Sequence, residues 1–109
     1  MKNKSIAIIG TGIAAAWLAH KLQKNGYHLN VFDKARGLGG RTSSRRVSFI
    51  GQEFHLDLGA QLVKAQDQSF EQFILAMCKQ GICEQWQEAQ TYVPYPSMSS
   101  LVKHLLKDI

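Results

Sequence analysis

Two glycines one residue apart, Gly10 and Gly12, stand directly behind the apolar run Ile6-Ala7-Ile8-Ile9, and Asp33 closes a second apolar run, Leu29 to Phe32. These residue types at this spacing can hold a dinucleotide. Gly10 lets the chain turn sharply out of a strand. Gly12 puts no side chain between the backbone and a pyrophosphate, so N–H groups at a helix N-terminus can point at the phosphates. Ala15 takes the third small position of a G-x-G-x-x-G/A fingerprint, where the helix must lie close against the strand. The Asp33 carboxylate can accept hydrogen bonds from both hydroxyls of an adenosine ribose. A mere tight turn is the plainer reading of the glycines. The flanking strand, the helix and the acid at the expected distance favour the dinucleotide.

A second group follows at once, Lys34-Ala35-Arg36-Gly37-Leu38-Gly39-Gly40-Arg41, with three glycines in four positions. Such a loop brings its backbone close to something, and Arg41 adds a planar fork of donors suited to phosphate oxygens. A flexible surface loop with incidental charge is the competing reading. The net charge of +5 is concentrated in Lys34, Arg36, Arg41, Arg45 and Arg46. Basic domains often bind nucleic acid. Here one anionic cofactor accounts for the cluster, and no polynucleotide partner is expected.

The elements that must position these groups form a strand, helix and strand in sequence. The first strand, lacking polar alternation, suits a central parallel strand buried on both faces. The helix is predicted from about Gly12 to Asn25, carrying Ile13, Trp17, Leu18 and Leu22, with Ala14, Ala15 and Ala19 allowing close approach to the sheet. Lys21 and Lys24 suit the negative end of its dipole, and Asn25-Gly26 reads as its stop. His20 is expected to be solvated. Lys2 and Lys4 ahead of an apolar run can also pass for a secretory signal peptide, which needs neither spaced glycines nor an acid-tipped strand.

Farther along, Val47 to Asp57 reads as a hairpin turning at Gly51-Gln52. Ser69-Phe70-Glu71-Gln72 resembles a capping box. Behind it, Phe70, Phe73, Ile74 and Met77 form a helical packing stripe that stops at Gly81. Short strand-like runs lie between Ile82 and Val93, then Pro94 and Pro96 break the chain. Ser97 or Ser99 can cap a last helix, in which Leu101 and Leu105, Val102 and Leu106 build an apolar face. His104 is expected on the polar side of that helix, which runs to the chain end.

The length of 109 residues suits one domain, 1–109, with one modest core, and the 45% hydrophobic fraction is that of a folded protein. No apolar stretch is long enough to span a bilayer, so no membrane partner is expected. Cys78 and Cys83 make neither a disulfide framework nor a metal pair, which points to a reducing, cytoplasmic compartment and no metal. There is no internal repeat.

Asp33-Lys34-Ala35-Arg36 followed by Gly39-Gly40-Arg41, then Asp57-Leu58-Gly59-Ala60-Gln61, then Val93-Pro94 ahead of Met98 to Leu105, resembles the N-terminal part of the renalase-like FAD-dependent amine oxidases. The segments appear in order across nearly the whole chain. The resemblance implies an α/β fold: a Rossmann-like FAD/NAD(P)-binding βαβ unit with an added β-hairpin and two further helices, incomplete relative to the family. It implies FAD, with NAD(P) as the alternative. Gly10, Gly12, Ile13, Ala14 and Ala15 would face or frame the pyrophosphate, Asp33 with Lys34 the adenosine end, and Gly40 with Arg41 the phosphates. Ala60, Gln61 and Leu62 would lie nearer the flavin. Family members oxidise amines or reduced nicotinamide-type substrates, with hydride passing to flavin and then to oxygen. Leu62 stands where an aromatic is common, and Ser97 where a glycine often precedes the Met-Ser helix. Family enzymes are several-fold longer, so this chain is expected to bind cofactor without turning over by itself, and no catalytic residue is assigned. The alternative is a non-catalytic dinucleotide-binding module, with a homodimer or complementing chain covering the incomplete sheet.

Overall fold

The computed structural model describes residues 4–35 and 37–109; Lys2 of the signal-like reading and Arg36 of the basic cluster lie outside the described residues. β-branched and aliphatic residues drive the first strand, β1 (Ser5–Ile9), and its partner β2 (His28–Phe32). They pair in parallel, from Ser5 opposite His28 to Ile9 opposite Phe32. A parallel pair needs a crossover. Helix α1 (Ile13–Lys24) supplies it, with Gly12 as N-cap and Asn25 as C-cap. The Asn25 side chain donates to the Lys21 carbonyl at 2.8 Å, which helps end the helix.

Small residues set how near α1 lies to the strands. Ala16 and Ala19 are fully buried. Ala19 joins Ile8 and Leu29 in one core, with Ile6, Ala15, Leu22 and Val31 packed around it. Ala14, expected to help this approach, is exposed, and so is half of Leu18. The expectation of a first strand buried on both faces also fails. Ile9 is 81% exposed, and Phe32 beside it 54%. Among the described residues the sheet has two strands, too few neighbours to cover both ends and both faces.

After β2, a single 3₁₀ turn at Gly40–Thr42 leads into a hairpin, β3 (Ser44–Phe49) and β4 (Gln52–Asp57). Its pairing closes at Phe49 opposite Gln52, so the turn residues are Ile50 and Gly51, one position earlier than the sequence suggests. Both have positive φ, 50° and 74°, as a two-residue turn matched to strand twist demands.

The remaining elements build a second core. Strands β5 (Val63–Lys64), β6 (Cys83–Gln85) and β7 (Thr91–Pro94) form an antiparallel sheet in the order β5-β7-β6. Helices α2 (Gln68–Lys79) and α3 (Ser99–Leu105) pack Ile74, Met77, Leu101, Val102 and Leu105 against Cys83, Tyr92 and Ala16. Each such side chain, fully buried, contributes about 1.5–3 kcal/mol. Helix α2 starts two residues earlier than its expected box, because Asp67 rather than Ser69 caps it by accepting from the Phe70 N–H at 3.0 Å. Ser69 instead accepts from Lys21 Nζ at 2.8 Å, tying α2 to α1. Helix α3 has no side-chain cap from Ser97 or Ser99 and ends at Leu105, with turns from there to Asp108 rather than helix to the chain end.

Two histidines depart from the sequence reading. His20 stacks on Trp17 with ring centroids 5.8 Å apart and lies 5.2 Å from Phe73; His104 approaches the same phenylalanine at 6.2 Å. Both are half-buried, not solvated, because Phe73 of α2 comes between α1 and α3. Burial pushes both pKa values below the usual imidazole value. Cys83 is a buried free thiol whose pKa burial pushes up to about 11, and Cys78 is half-buried and free. Among the described residues no helix is long and apolar enough to cross a membrane.

Candidate cofactor-binding site

The chain leaves β1 through Gly10 at φ +110°, and Gly12 begins α1 in extended backbone. No side chain caps this helix start, and its first turn carries no acid. The opening N–H groups of a helix have no partners within the helix, and its dipole is positive there. A Cβ built on Gly10 or on Gly12 meets nothing within 4 Å, so open space lies in front of both. The turn therefore has the room and the polarity to receive an anion.

Asp33 follows the last residue of β2 and closes the side of this turn. Its Oδ2 accepts from the Thr11 N–H at 3.0 Å and also from the Thr11 hydroxyl. Its Oδ1 accepts from the Ala35 N–H at 2.9 Å. The Ala35 N–H first, then the Thr11 hydroxyl, hold the carboxyl below the usual carboxylate range. Hydrogen bonds to the charged form favour it. Asp33 is thus an oriented anion beside the glycine turn.

The glycine pair after β2 folds back on the same turn. Gly39 donates to the Thr11 carbonyl at 2.9 Å. Gly40, at φ +55°, lies so close that a Cβ on it would fall 3.3 Å from the Gly12 Cα. Two glycine segments separated by a strand and a helix therefore meet backbone to backbone. Arg41, exposed, stands next to this contact and makes no ion pair among the described residues. On its other side, the Ala60 N–H donates to the Arg41 carbonyl at 2.9 Å, and Leu58 donates to the Ser43 carbonyl at 3.1 Å. Asp57 completes the support: its Oδ1 accepts from the Ser44 hydroxyl and the Met98 N–H, each at 2.9 Å.

Residues 8–77 match the family model of the NAD(P)-binding Rossmann-like domain. The chain belongs to this family. Among curated relatives, it is 49% identical over 50 residues to the tRNA 5-methylaminomethyl-2-thiouridine biosynthesis bifunctional protein MnmC of Campylobacter jejuni subsp. jejuni serotype O:6, covering 46% of this chain. It is 33% identical over 58 residues to the flavin-dependent L-tryptophan oxidase RebO of Lentzea aerocolonigenes, covering 53% of this chain. The matched segments span only 8% and 12% of those proteins' own lengths.

Within this Rossmann-like domain the structure brings Asp33 and Gly40 to the Gly10–Gly12 turn, with Arg41 following Gly40. Ile13 starts α1; Ala14 is exposed on its first turn, and both line a shallow cleft with Trp17 and Phe70. Ala15 packs toward the sheet, the close helix–strand approach its size allows. Lys34 is exposed beside Asp33. Ala60 braces the Arg41 carbonyl. Gln61 and Leu62 are exposed residues leading into β5, with no hydrogen bond to the glycine turn or to Asp33. A cavity of about 300 Å³ runs along β2, lined by Thr11, Val31, Phe32, Leu38 and Leu106 among others.

The basic cluster divides. Arg45 and Arg46 line a separate cavity of about 210 Å³ with Ser44, His55, Ser99 and Lys103. Arg46 also lies 3.8 Å from Glu53 across the hairpin. One cofactor at the glycine turn therefore does not account for these two arginines. Thr11 is the residue that sequence reasoning missed. The middle position of G-x-G accepts many residues, and its hydroxyl's partner lies 22 residues away.

Proposed function

We propose that this domain is the FAD-binding N-terminal part of a flavin-dependent oxidoreductase of the renalase-like amine oxidase type, acting on an amine or a reduced nicotinamide-type substrate. The observation that carries the reading is the meeting of Gly40 with Gly12 beside an oriented Asp33 carboxylate. A glycine turn and an acid suit any adenine dinucleotide. The second glycine loop, brought onto the first and followed by Arg41, favours FAD over NAD(P). The open space before Gly10 and Gly12 fits a pyrophosphate. The tryptophan oxidase relative, flavin-dependent by name, supports the same cofactor and an amine-bearing substrate.

In this reading the N-terminus of α1 and the backbone of Gly12, Ile13 and Ala14 bind the pyrophosphate, with Ala15 letting the helix approach. Arg41 adds a bidentate phosphate contact, and Gly40 leaves it room. Asp33 receives ribose hydroxyl donors, with Lys34 beside it. Ala60 fixes the Arg41 backbone, and Gln61 and Leu62 lead toward the flavin end. Flavin, when bound, supplies the hydride acceptor and passes electrons on to oxygen; the protein orients it. We assign no catalytic residue to this chain, and we place the protein in the cytoplasm. A second copy or a complementing chain covers the incomplete sheet.

The test is the absorption spectrum of the purified chain, with FAD titration followed by fluorescence and thermal shift. Bound flavin, or saturable uptake that Arg41→Ala weakens about tenfold, supports the proposal. Colourless protein with no flavin-induced shift, but saturable NAD(H) binding, would assign the site to the nicotinamide cofactor instead. No dinucleotide binding at all would leave a module without a cofactor.

A further inference from the structure

Asp33 spends most of its acceptor capacity on its own chain. An ionised carboxylate has about four lone-pair positions, two on each oxygen. The Thr11 N–H and the Thr11 hydroxyl both take Oδ2, and the Ala35 N–H takes one position on Oδ1. Counting donors among the described residues, one position is left, on Oδ1. Thr11 is itself held in place, only 3% exposed, with its carbonyl accepting from Gly39 at 2.9 Å and its hydroxyl oxygen 3.4 Å from the same N–H. Turning the hydroxyl away to release Oδ2 would also give up its 3.4 Å contact with the Gly39 N–H in a buried position.

We propose that Thr11 is a positioning residue that occupies one oxygen of Asp33 and leaves the site a single acceptor for a single ribose hydroxyl. This rests on the dinucleotide reading of the glycine turn. It departs from the sequence expectation that both ribose hydroxyls bind Asp33. The ligand class is an adenosine diphosphate moiety anchored through one hydroxyl, with the second facing solvent or another group.

Calorimetric titration of the full chain with ADP, 2′-deoxy-ADP and 3′-deoxy-ADP tests this. One deoxy analogue is expected to bind about tenfold or more weaker than ADP, and the other about as well as ADP. In Thr11→Val, which keeps shape and the N–H but frees a position on Oδ2, both analogues are expected to lose affinity relative to ADP. Thr11→Ser should restore the wild-type pattern. A ligand-free readout accompanies these: the Asp33 carboxyl titration followed by carbon-13 NMR, expected to move up in Thr11→Val and return in Thr11→Ser. Equal loss from both analogues in the wild type, or an Asp33 titration that Thr11→Val leaves unmoved, overturns the proposal alone. Absence of ADP binding to any variant overturns the dinucleotide reading and the proposal with it.

Discussion

Gly59 lies against the Arg41 carbonyl so closely that a Cβ on it would overlap that oxygen. The neighbouring Ala60 N–H donates to the same carbonyl at 2.9 Å. The backbone that carries Arg41 is therefore fixed from one side by Gly59-Ala60 and from the other by the Gly40–Gly12 contact. Gly59→Ala must push the Arg41 backbone away, since no flexible side chain can yield. We expect a loss of about 1–3 kcal/mol in chemical denaturation, the usual cost of overpacking. Cofactor affinity should fall with it. Unchanged stability would mean that the 3₁₀ turn relaxes freely.

The two glycines of the first turn should separate stability from binding. Gly12 has φ −70°, open to any residue, and a Cβ there meets nothing. Gly12→Ala should leave stability within about 0.5 kcal/mol of the wild type, the gain through the unfolded chain being offset by alanine's poor fit at a helix N-cap. On the proposed reading its methyl would stand where the pyrophosphate approaches, and ADP or FAD binding should weaken by about tenfold or more. Gly10, at φ +110°, is different. Gly10→Ala should cost about 1–3 kcal/mol of backbone strain despite the same open space. Urea titrations of both variants, with and without ligand, check the contrast.

The parts of this fold legible in the sequence are those written in short-range patterns. The strand–turn–helix–strand order, the Asn25-Gly26 stop and the Phe70–Met77 stripe depend on neighbours within a few positions. What was misread depends on distant partners. The hairpin turn falls at Ile50-Gly51 because Phe49 pairs with Gln52, a register no local residue announces. Asp67 caps α2 through the Phe70 N–H, which leaves Ser69 inside the helix and bonded to Lys21, 48 residues away. The site follows the same division. The nearness of Asp33 to the Gly10–Gly12 turn was legible by spacing; the Thr11 hydroxyl and the Gly59–Arg41 contact arise only when segments meet.

The histidine pair gives the domain a pH dependence. His20 is lowered first by burial and then by the nearby Lys24, and His104 first by burial and then by Lys107. A folded-state pKa below the unfolded value of 6.5 means that the unfolded chain binds protons first. Stability is therefore whole above that value. It falls as pH drops below it and levels off once the folded imidazoles are also protonated. Urea midpoints measured from about pH 7.5 to about pH 5.5 should fall, and His20→Gln with His104→Gln should flatten the slope. An equal slope in the double variant would assign the effect to other groups.

The hairpin is amphipathic by register. Val47 pairs with Phe54 and Arg45 with Leu56, so Val47, Phe49, Phe54 and Leu56 share one face with Arg45 and Gln52 at its margins, while Arg46, Ser48, Glu53 and His55 share the other. Phe49 is 65% exposed, Leu56 51% and Phe54 44%. A two-stranded hairpin is marginal by itself, and a bare face of this kind favours association. Full burial of each such side chain is worth about 1.5–3 kcal/mol, enough for two of them to shift a self-association constant by well over tenfold. Light scattering across a concentration series should therefore show mass rising with concentration for the wild type. Phe49→Ser with Leu56→Ser should bring it to the monomer, with little change in the unfolding midpoint because neither residue joins either core. Ser48→Ala, on the polar face, should change neither. A wild type that stays monomeric throughout would remove self-association and leave a different chain as the cover for this face.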